Sequence, residues 1–298
     1  MSCFLRYCTV AMKVCGKNYV CLYHIGNYGK SVARILRTRD ELEQHLTQSE
    51  VGSCSAYYKG NTMKSAFQPI VSASGALFGY EALLRIYCQD GLLLQTEPFF
   101  STGFMPSSDR INLDRLARVI HLRNFARFVS DGALFLNMTP IAALDAGSQQ
   151  YGYNSLISRV KELGLSNDRI YFEILEHTCA NDRLLVSSLQ DMQDYGFRIA
   201  IDDYGVDASS ESRVRKVNPD IIKVDRSLLT DYMDGKPEEL QAVISLAHEL
   251  NAKVLTEGIE SQNDFNTVRE LGVDYMQGYY IGRPVLVSEL PCLFEPII

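Results

Sequence analysis

From Met63 to its end, the chain alternates short β-rich runs with helix-like stretches. The runs are Ser65–Val71, Phe78–Leu84, Ala133–Met138, Ile170–Leu175, Arg198–Asp203, Asp220–Asp225, Lys253–Glu257 and Asp274–Tyr280, eight in all. Between the later ones, Leu113–Val129, Leu156–Leu163, Arg183–Tyr195, Pro237–Leu250 and Ser261–Leu271 read as helices. Gly164, Gly196 and Gly272 stand where C-terminal caps belong. This alternation predicts a parallel sheet with right-handed crossovers. Eight units over about 235 residues have the size of a (β/α)8 barrel, typically about 250 residues. An open doubly wound sheet is the alternative, but the chain has no Gly-x-Gly-x-x-Gly fingerprint.

Residues 1–60 read differently, as an N-terminal extension or small interaction segment before a barrel over 61–298. Tyr19–Ile25 predicts a strand, Asn27-Tyr28-Gly29 a turn, and Asp40–Thr47 a helix with Asp40 as N-cap. Glu50–Gly60 reads as a linker. Sixty residues are a marginal core, so a partner-binding or dimer-stabilising role is expected there rather than chemistry.

Composition sets the limits. With 46% hydrophobic and 22% charged residues the chain is an ordinary globular one. A net charge of −7 argues against a broad grip on DNA, though a few cations would still admit an anionic ligand. The eight cysteines include no Cys-x-x-Cys pair, so they read as reduced thiols. No apolar run reaches membrane-spanning length, and Cys3–Met12 lacks the basic start of a signal peptide. The expectation is a cytoplasmic protein.

A barrel carries its chemistry at the carboxyl ends of its strands. Glu81 lies late in the second run, Asn137 ends the third and Glu173 lies late in the fourth. Asp202 and Asp203 end the fifth, Lys223 and Asp225 the sixth, Glu257 the seventh, and Gln277 sits in the eighth. Each alone reads equally well as a cap, a turn residue or a surface charge. Together they put a polar group at six or more strand ends, each beside apolar residues. Unpartnered, such burial would be costly; bound divalent metal would offset it. A set of Glu, Asp and Asn oxygens favours Mg²⁺ or Mn²⁺ over zinc.

These residues fall in strings that resemble the EAL family of cyclic-di-GMP phosphodiesterases. Phe67-Gln68-Pro69-Ile70-Val71 and Gly79-Tyr80-Glu81-Ala82-Leu83-Leu84-Arg85 are similar to its opening signature. Asn137-Met138-Thr139-Pro140, Glu173-Ile174-Leu175-Glu176, Asp202-Asp203-Tyr204-Gly205, Lys223-Val224-Asp225, Glu257-Gly258-Ile259-Glu260 and Gln277-Gly278-Tyr279 follow in the family's order. The resemblance implies a modified barrel whose first strand is antiparallel. It implies two Mg²⁺ or Mn²⁺ per site, with inhibition by Ca²⁺. Glu81, Asn137, Glu173 and Asp202 would ligate one metal, and Asp202 with Asp203 the second. Glu257 would complete the shell, Lys223 would orient the attacking water and Gln277 would support the site. Arg85, with Gln68, Glu81 and Leu84, would meet substrate, and Glu176 would anchor the loop after Asp203. The implied reaction opens cyclic di-GMP to linear pGpG, in a homodimer.

The loop Asp203-Tyr204-Gly205-Val206-Asp207-Ala208-Ser209-Ser210 departs from the family's Asp-Phe-Gly-Thr-Gly-Tyr-Ser-Ser. Asp207 replaces a glycine and adds negative charge. Two alternatives to an active enzyme therefore stand: a catalytically weak cyclic-di-GMP receptor, and a protein-binding regulator. There is no Gly-Gly-(Asp/Glu)-Glu-Phe string, so no diguanylate cyclase activity is expected.

Overall fold

The computed structural model describes residues 8–14, 17–23, 33–100, 105–147, 150–175, 182–204 and 211–292. The chain divides into two compact units, Met1–Arg34 and Ile35–Ile298. In the first, β1 (Cys8–Val14) and β2 (Lys17–Tyr23) pair as an antiparallel hairpin, which accounts for the strand expected at 19–25. The Asn27–Gly29 turn lies outside the described residues.

The second unit opens on a short helix, α1 (Arg39–Glu43). Its N-cap is Thr38, not Asp40. Thr38 accepts from Glu41 N while Glu41 reaches back to the backbone at Thr38 (Oε2 to N, 2.9 Å), a reciprocal capping box that starts the helix two residues before Asp40. Then come β3 (Leu46–Gln48) and β4 (Cys54–Tyr58). Residues 50–60 are thus not a simple linker. Cys54, Ala56 and Tyr58 alternate inward, and β4 pairs with the next strand.

The remaining strands are β5 (Asn61–Ser72), β6 (Leu77–Tyr87), β7 (Leu93–Leu94), β8 (Ala133–Asn137), β9 (Ile170–Leu175), β10 (Arg198–Tyr204), β11 (Ile221–Val224), β12 (Lys253–Thr256), β13 (Tyr275–Met276) and β14 (Val285–Leu286). The helices are α2 (Glu97–Phe100), α3 (Ser107–Phe128), α4 (Pro140–Gly147), α5 (Gln150–Glu162), α6 (Asp182–Asp194), α7 (Glu211–Val217), α8 (Arg226–Met233), α9 (Glu238–Glu249) and α10 (Gln262–Glu270).

Eight strands close a barrel in the order β5-β13-β12-β11-β10-β9-β8-β6, with β6 returning to β5. β6 and β8 to β13 run parallel, whereas β5 is antiparallel to both of its neighbours. Each of the eight expected runs lies on one of these strands. A barrel strand buries both faces, which explains the near-continuous apolar runs. Inside are Ile70, Ala133, Phe135, Ala200, Ile221 and Leu255. The opposite faces, including Leu134, Leu136, Phe172, Ile199, Ile222 and Val254, pack under the helices. The floor is closed by aromatics: Phe135 stacks on Tyr171 at 4.5 Å and Phe78 on Tyr275 at 3.9 Å. No helix among the described residues is long and apolar enough to cross a membrane.

Candidate active site

Side chains alternate along a strand with a period of two. Each inward apolar residue of the floor is therefore followed, two positions later, by a residue facing the carboxyl-end mouth. Phe135 leads to Asn137, Tyr171 to Glu173, Ala200 to Asp202, Ile221 to Lys223, Leu255 to Glu257 and Tyr275 to Gln277. On antiparallel β5 the order reverses, so Gln68 precedes Ile70; Gln68 stands directly opposite Glu81. One parity rule thus gathers seven strands' polar residues in one place.

Asp203 breaks the rule. Consecutive Asp202 and Asp203 ought to face opposite sides. β10 shifts register between Ile201 and Tyr204, and Asp203 takes a left-handed backbone, φ 54°. The bulge re-aims its carboxylate. As a result, one oxygen each from Asp202, Asp203 and Glu257 lie within 4.8 Å of one another.

Two subclusters make up the site. In the first, Lys223 Nζ lies 2.5 Å from Glu173 Oε1, 2.8 Å from Asp202 Oδ1 and 2.6 Å from Glu257 Oε1. The Lys223 and Glu173 side chains are 1% and 0% exposed. Burial alone would lower the lysine's pKa. The surrounding Asp202, Glu173, Glu257 and Glu81 outweigh it and hold the ammonium well above its ordinary value. Burial pushes the Glu173 carboxyl well above the usual range and Glu257 up to about 8, with Lys223 pulling both back. Like charges crowd here without enough counter-charge.

In the second, Glu81 is clamped. Asn137 Nδ2 donates to its Oε1 at 3.2 Å, and Gln277 Nε2 donates to its Oε2 at 2.7 Å. Gln277 is itself placed by a close approach: a Cβ on Gly278 would sit 2.1 Å from the Ile259 carbonyl oxygen, so only glycine fits. Gln68 donates to the Gly282 carbonyl at 3.1 Å.

Other expected site residues lie elsewhere. Arg85 is four residues beyond Glu81 on the same face of β6, outside the carboxylate cluster, and donates to the Leu84 carbonyl. Leu84 lies on the opposite face, with Ala82 and Ile86. Asp225 caps α8, its Oδ1 accepting from Ser227 N at 2.8 Å. Glu176 and the Val206-Asp207-Ala208 segment lie outside the described residues. The sequence reading passed over Asp114 and Arg118, a buried pair on α3 that reaches the Asn137 turn. The signal was an Asp and an Arg four apart on α3, one pair among several charged residues of that helix.

A family model described as "EAL domain" matches residues 54–284. The chain belongs to the EAL domain family. Among similar proteins, the cyclic di-GMP phosphodiesterase PdeF of Escherichia coli is 26% identical over 241 residues, covering 77% of this chain and 31% of PdeF. The Bacillus subtilis YkuI protein, solved with an EAL domain in complex with substrate c-di-GMP and calcium, is 27% identical with a TM-score of 0.66. That match covers 75% of this EAL chain and 56% of YkuI's. The Klebsiella pneumoniae BlrP1 manganese/cy-diGMP complex shares the fold at 23% identity and a TM-score of 0.65, over 78% of this chain and 58% of that one. The EAL chain spans about a third of the length of the curated relatives it matches first (30%, 29% and 31%). The EAL relatives thus include a cyclic di-GMP phosphodiesterase, and two EAL structures hold that nucleotide with calcium or manganese.

Proposed function

We propose that this chain hydrolyses one phosphodiester bond of cyclic di-GMP to give linear pGpG, using two divalent cations, Mg²⁺ or Mn²⁺. The charge of the site carries the reading. Glu81, Glu173, Asp202, Asp203 and Glu257 converge around a single buried ammonium, Lys223. Fully ionised, those five carboxylates exceed Lys223 by four negative charges, the charge of two divalent cations. Glu173 Oε2 is buried and accepts no hydrogen bond among the described residues. The donors are all oxygens, which suits hard cations.

Glu81, Asn137, Glu173 and Asp202 would hold one ion. Asp202 and Asp203 would hold the other, with Glu257 completing the shell. When bound, such a pair lowers the pKa of a water and neutralises charge on the phosphoryl oxygens. The chain's own residues supply the rest. Lys223 keeps its proton and serves as a fixed cation that orients the attacking water and favours its deprotonated form, rather than as a base. Asn137 and Gln277 each hold one oxygen of Glu81, so that carboxylate cannot rotate away. Arg85 offers a bidentate fork to a substrate phosphate. Gln68, opposite Glu81, lines the approach from β5, whereas Leu84, on the other face of β6, is assigned no substrate contact. The stacked aromatic floor keeps water from entering below.

The second reading, a cyclic-di-GMP receptor with weak turnover, is favoured by the Val206-Asp207-Ala208 departure from the family pattern. A homodimer bracing the loop after Asp203 belongs to the main reading. Sedimentation showing only monomer at full activity would remove it. Residues 1–60 are the proposed contact for a protein partner.

The deciding experiment incubates the purified chain with cyclic di-GMP in Mg²⁺, Mn²⁺ or EDTA and separates the products by chromatography. Metal-dependent pGpG is expected. No product, with tight nucleotide binding in Ca²⁺, would replace the enzyme by the receptor; neither product nor binding would leave a protein-binding regulator.

A further inference from the structure

α3 buries polar side chains along its length: Asp109, Asn112, Asp114, Arg118, His121 and Asn124. Most of them tie the helix to β4 and β5. Asp109 accepts from Tyr58 and Lys59, Asn124 accepts from Cys54 N, and His121 Nδ1 lies 2.8 Å from Ser65 Oγ. Asp114 does something else. Its Oδ2 accepts from both the backbone N (2.8 Å) and the Oγ1 (3.0 Å) of Thr139. Its Oδ1 pairs with Arg118 one helical turn away, the two side chains being 2% and 9% exposed.

Thr139 is two residues past Asn137. It opens α4, its carbonyl accepting from Ala142 N and Ala143 N. The turn that carries Asn137 is therefore pinned at two points: Met138 N donates to the Glu173 carbonyl at 2.9 Å, and Thr139 is held by Asp114. With both pins in place, Asn137 Nδ2 reaches Glu81 and its carboxamide oxygen is left for a metal ion. Packing alone does not explain a charged pair here. Exchanging a buried ion pair for apolar side chains of similar volume is often neutral or stabilising.

We propose that Asp114, with Arg118 as its counter-ion, is a positioning residue that fixes the Asn137 turn and thereby sets the metal affinity of the site. The proposal rests on the reading of Asn137 as a metal ligand. The partners that orient metal ligands are typically worth about 10- to 100-fold in affinity.

The test measures Mn²⁺ affinity of the full chain, without nucleotide, from the electron paramagnetic resonance signal of free Mn²⁺. Four proteins are compared: wild type, Asn137→Ala, the double variant Asp114→Leu/Arg118→Met, and Thr139→Val. Asn137→Ala should weaken Mn²⁺ binding. The double variant should stay folded, yet bind Mn²⁺ about 10- to 100-fold more weakly. Its kcat for cyclic di-GMP should fall more than KM changes. Thr139→Val keeps the N–H bond and loses the hydroxyl bond, so its loss should be smaller, about 2- to 10-fold. A folded double variant with wild-type Mn²⁺ affinity overturns the proposal. Should that variant not fold, Thr139→Val decides alone: a mere capping role lowers its Tm and leaves Mn²⁺ affinity unchanged. Wild-type affinity in Asn137→Ala would instead remove the ligand reading itself, and the proposal with it.

Discussion

Among the described residues, Lys223 is the cation that touches Glu173, Asp202 and Glu257, and replacing it by Met removes that charge while leaving a side chain of similar length. Lys223 lies within 2.8 Å of an oxygen from each, and its side chain is 1% exposed. Breaking a buried ion pair by deleting one partner costs about 3–5 kcal/mol. For a unit of this size each kcal/mol shifts Tm by about 2–4 °C. In EDTA the variant should therefore melt roughly 6–20 °C below wild type. Mn²⁺ replaces the missing positive charge, so the gap should narrow sharply when it is added. Turnover should stay about 10²- to 10³-fold down, because a fixed cation at the reacting centre is gone. Cyclic di-GMP binding in Ca²⁺ should be retained. The assay is a set of thermal melts in EDTA and in Mn²⁺, run beside initial rates. Equal melting of variant and wild type in EDTA would refute Lys223 as the counter-ion of the cluster. Normal turnover would refute its role in orienting water.

Other predictions follow from the same geometry. Glu81→Ala should abolish turnover and weaken Mn²⁺ binding, since Asn137 and Gln277 lose the carboxylate they hold; a variant with undiminished rate would exclude Glu81 as a ligand. His121 is buried and its pKa is lowered to about 3, first by burial, then by Arg118 and Arg85. The unfolded chain takes up this proton near pH 6.5 and the fold does not, so stability should fall as pH drops below about 6.5, by up to ~1.4 kcal/mol per pH unit from this group. Urea unfolding of wild type and His121→Leu at pH 7 and pH 5 should show a shallower pH dependence in the variant. Gly278→Ala places a Cβ against the Ile259 backbone and should cost about 1–3 kcal/mol while displacing Gln277. Wild-type stability and rate in that variant would show that the chain there gives way freely.

How much of this could be read from the chain depended on the length of each signal. β9 was legible to the residue, because IYFEIL is a β-rich run, apolar but for the site residue Glu173, bounded by Arg169 and Glu176. α6, α9 and α10 carry enough turns for a helical period to register, and Gly164, Gly196 and Gly272 all adopt positive φ after their helices. α4, α7 and α8 have eight residues or fewer and were absent from the reading. Two turns give too few repeats to establish a period. β4 was missed for a different reason: Ser55 and the flanking glycines resemble a loop, and only pairing with β5 makes the segment a strand. The strand-end residues were legible because parity places them; the clamp on Glu81 was not, since it joins residues up to 196 positions apart. Asp114 carried no signal of its own in the chain; only the fold brings it beside Thr139.

The central claim is that water, activated at this cluster, opens one phosphodiester bond of cyclic di-GMP. The most direct measurement is mass spectrometry of the product formed in ¹⁸O-labelled water with Mn²⁺. The account predicts pGpG carrying one ¹⁸O, in its terminal phosphate, and no product in EDTA or from Glu81→Ala. Unchanged cyclic di-GMP in Mn²⁺, or a product without the label, would contradict it.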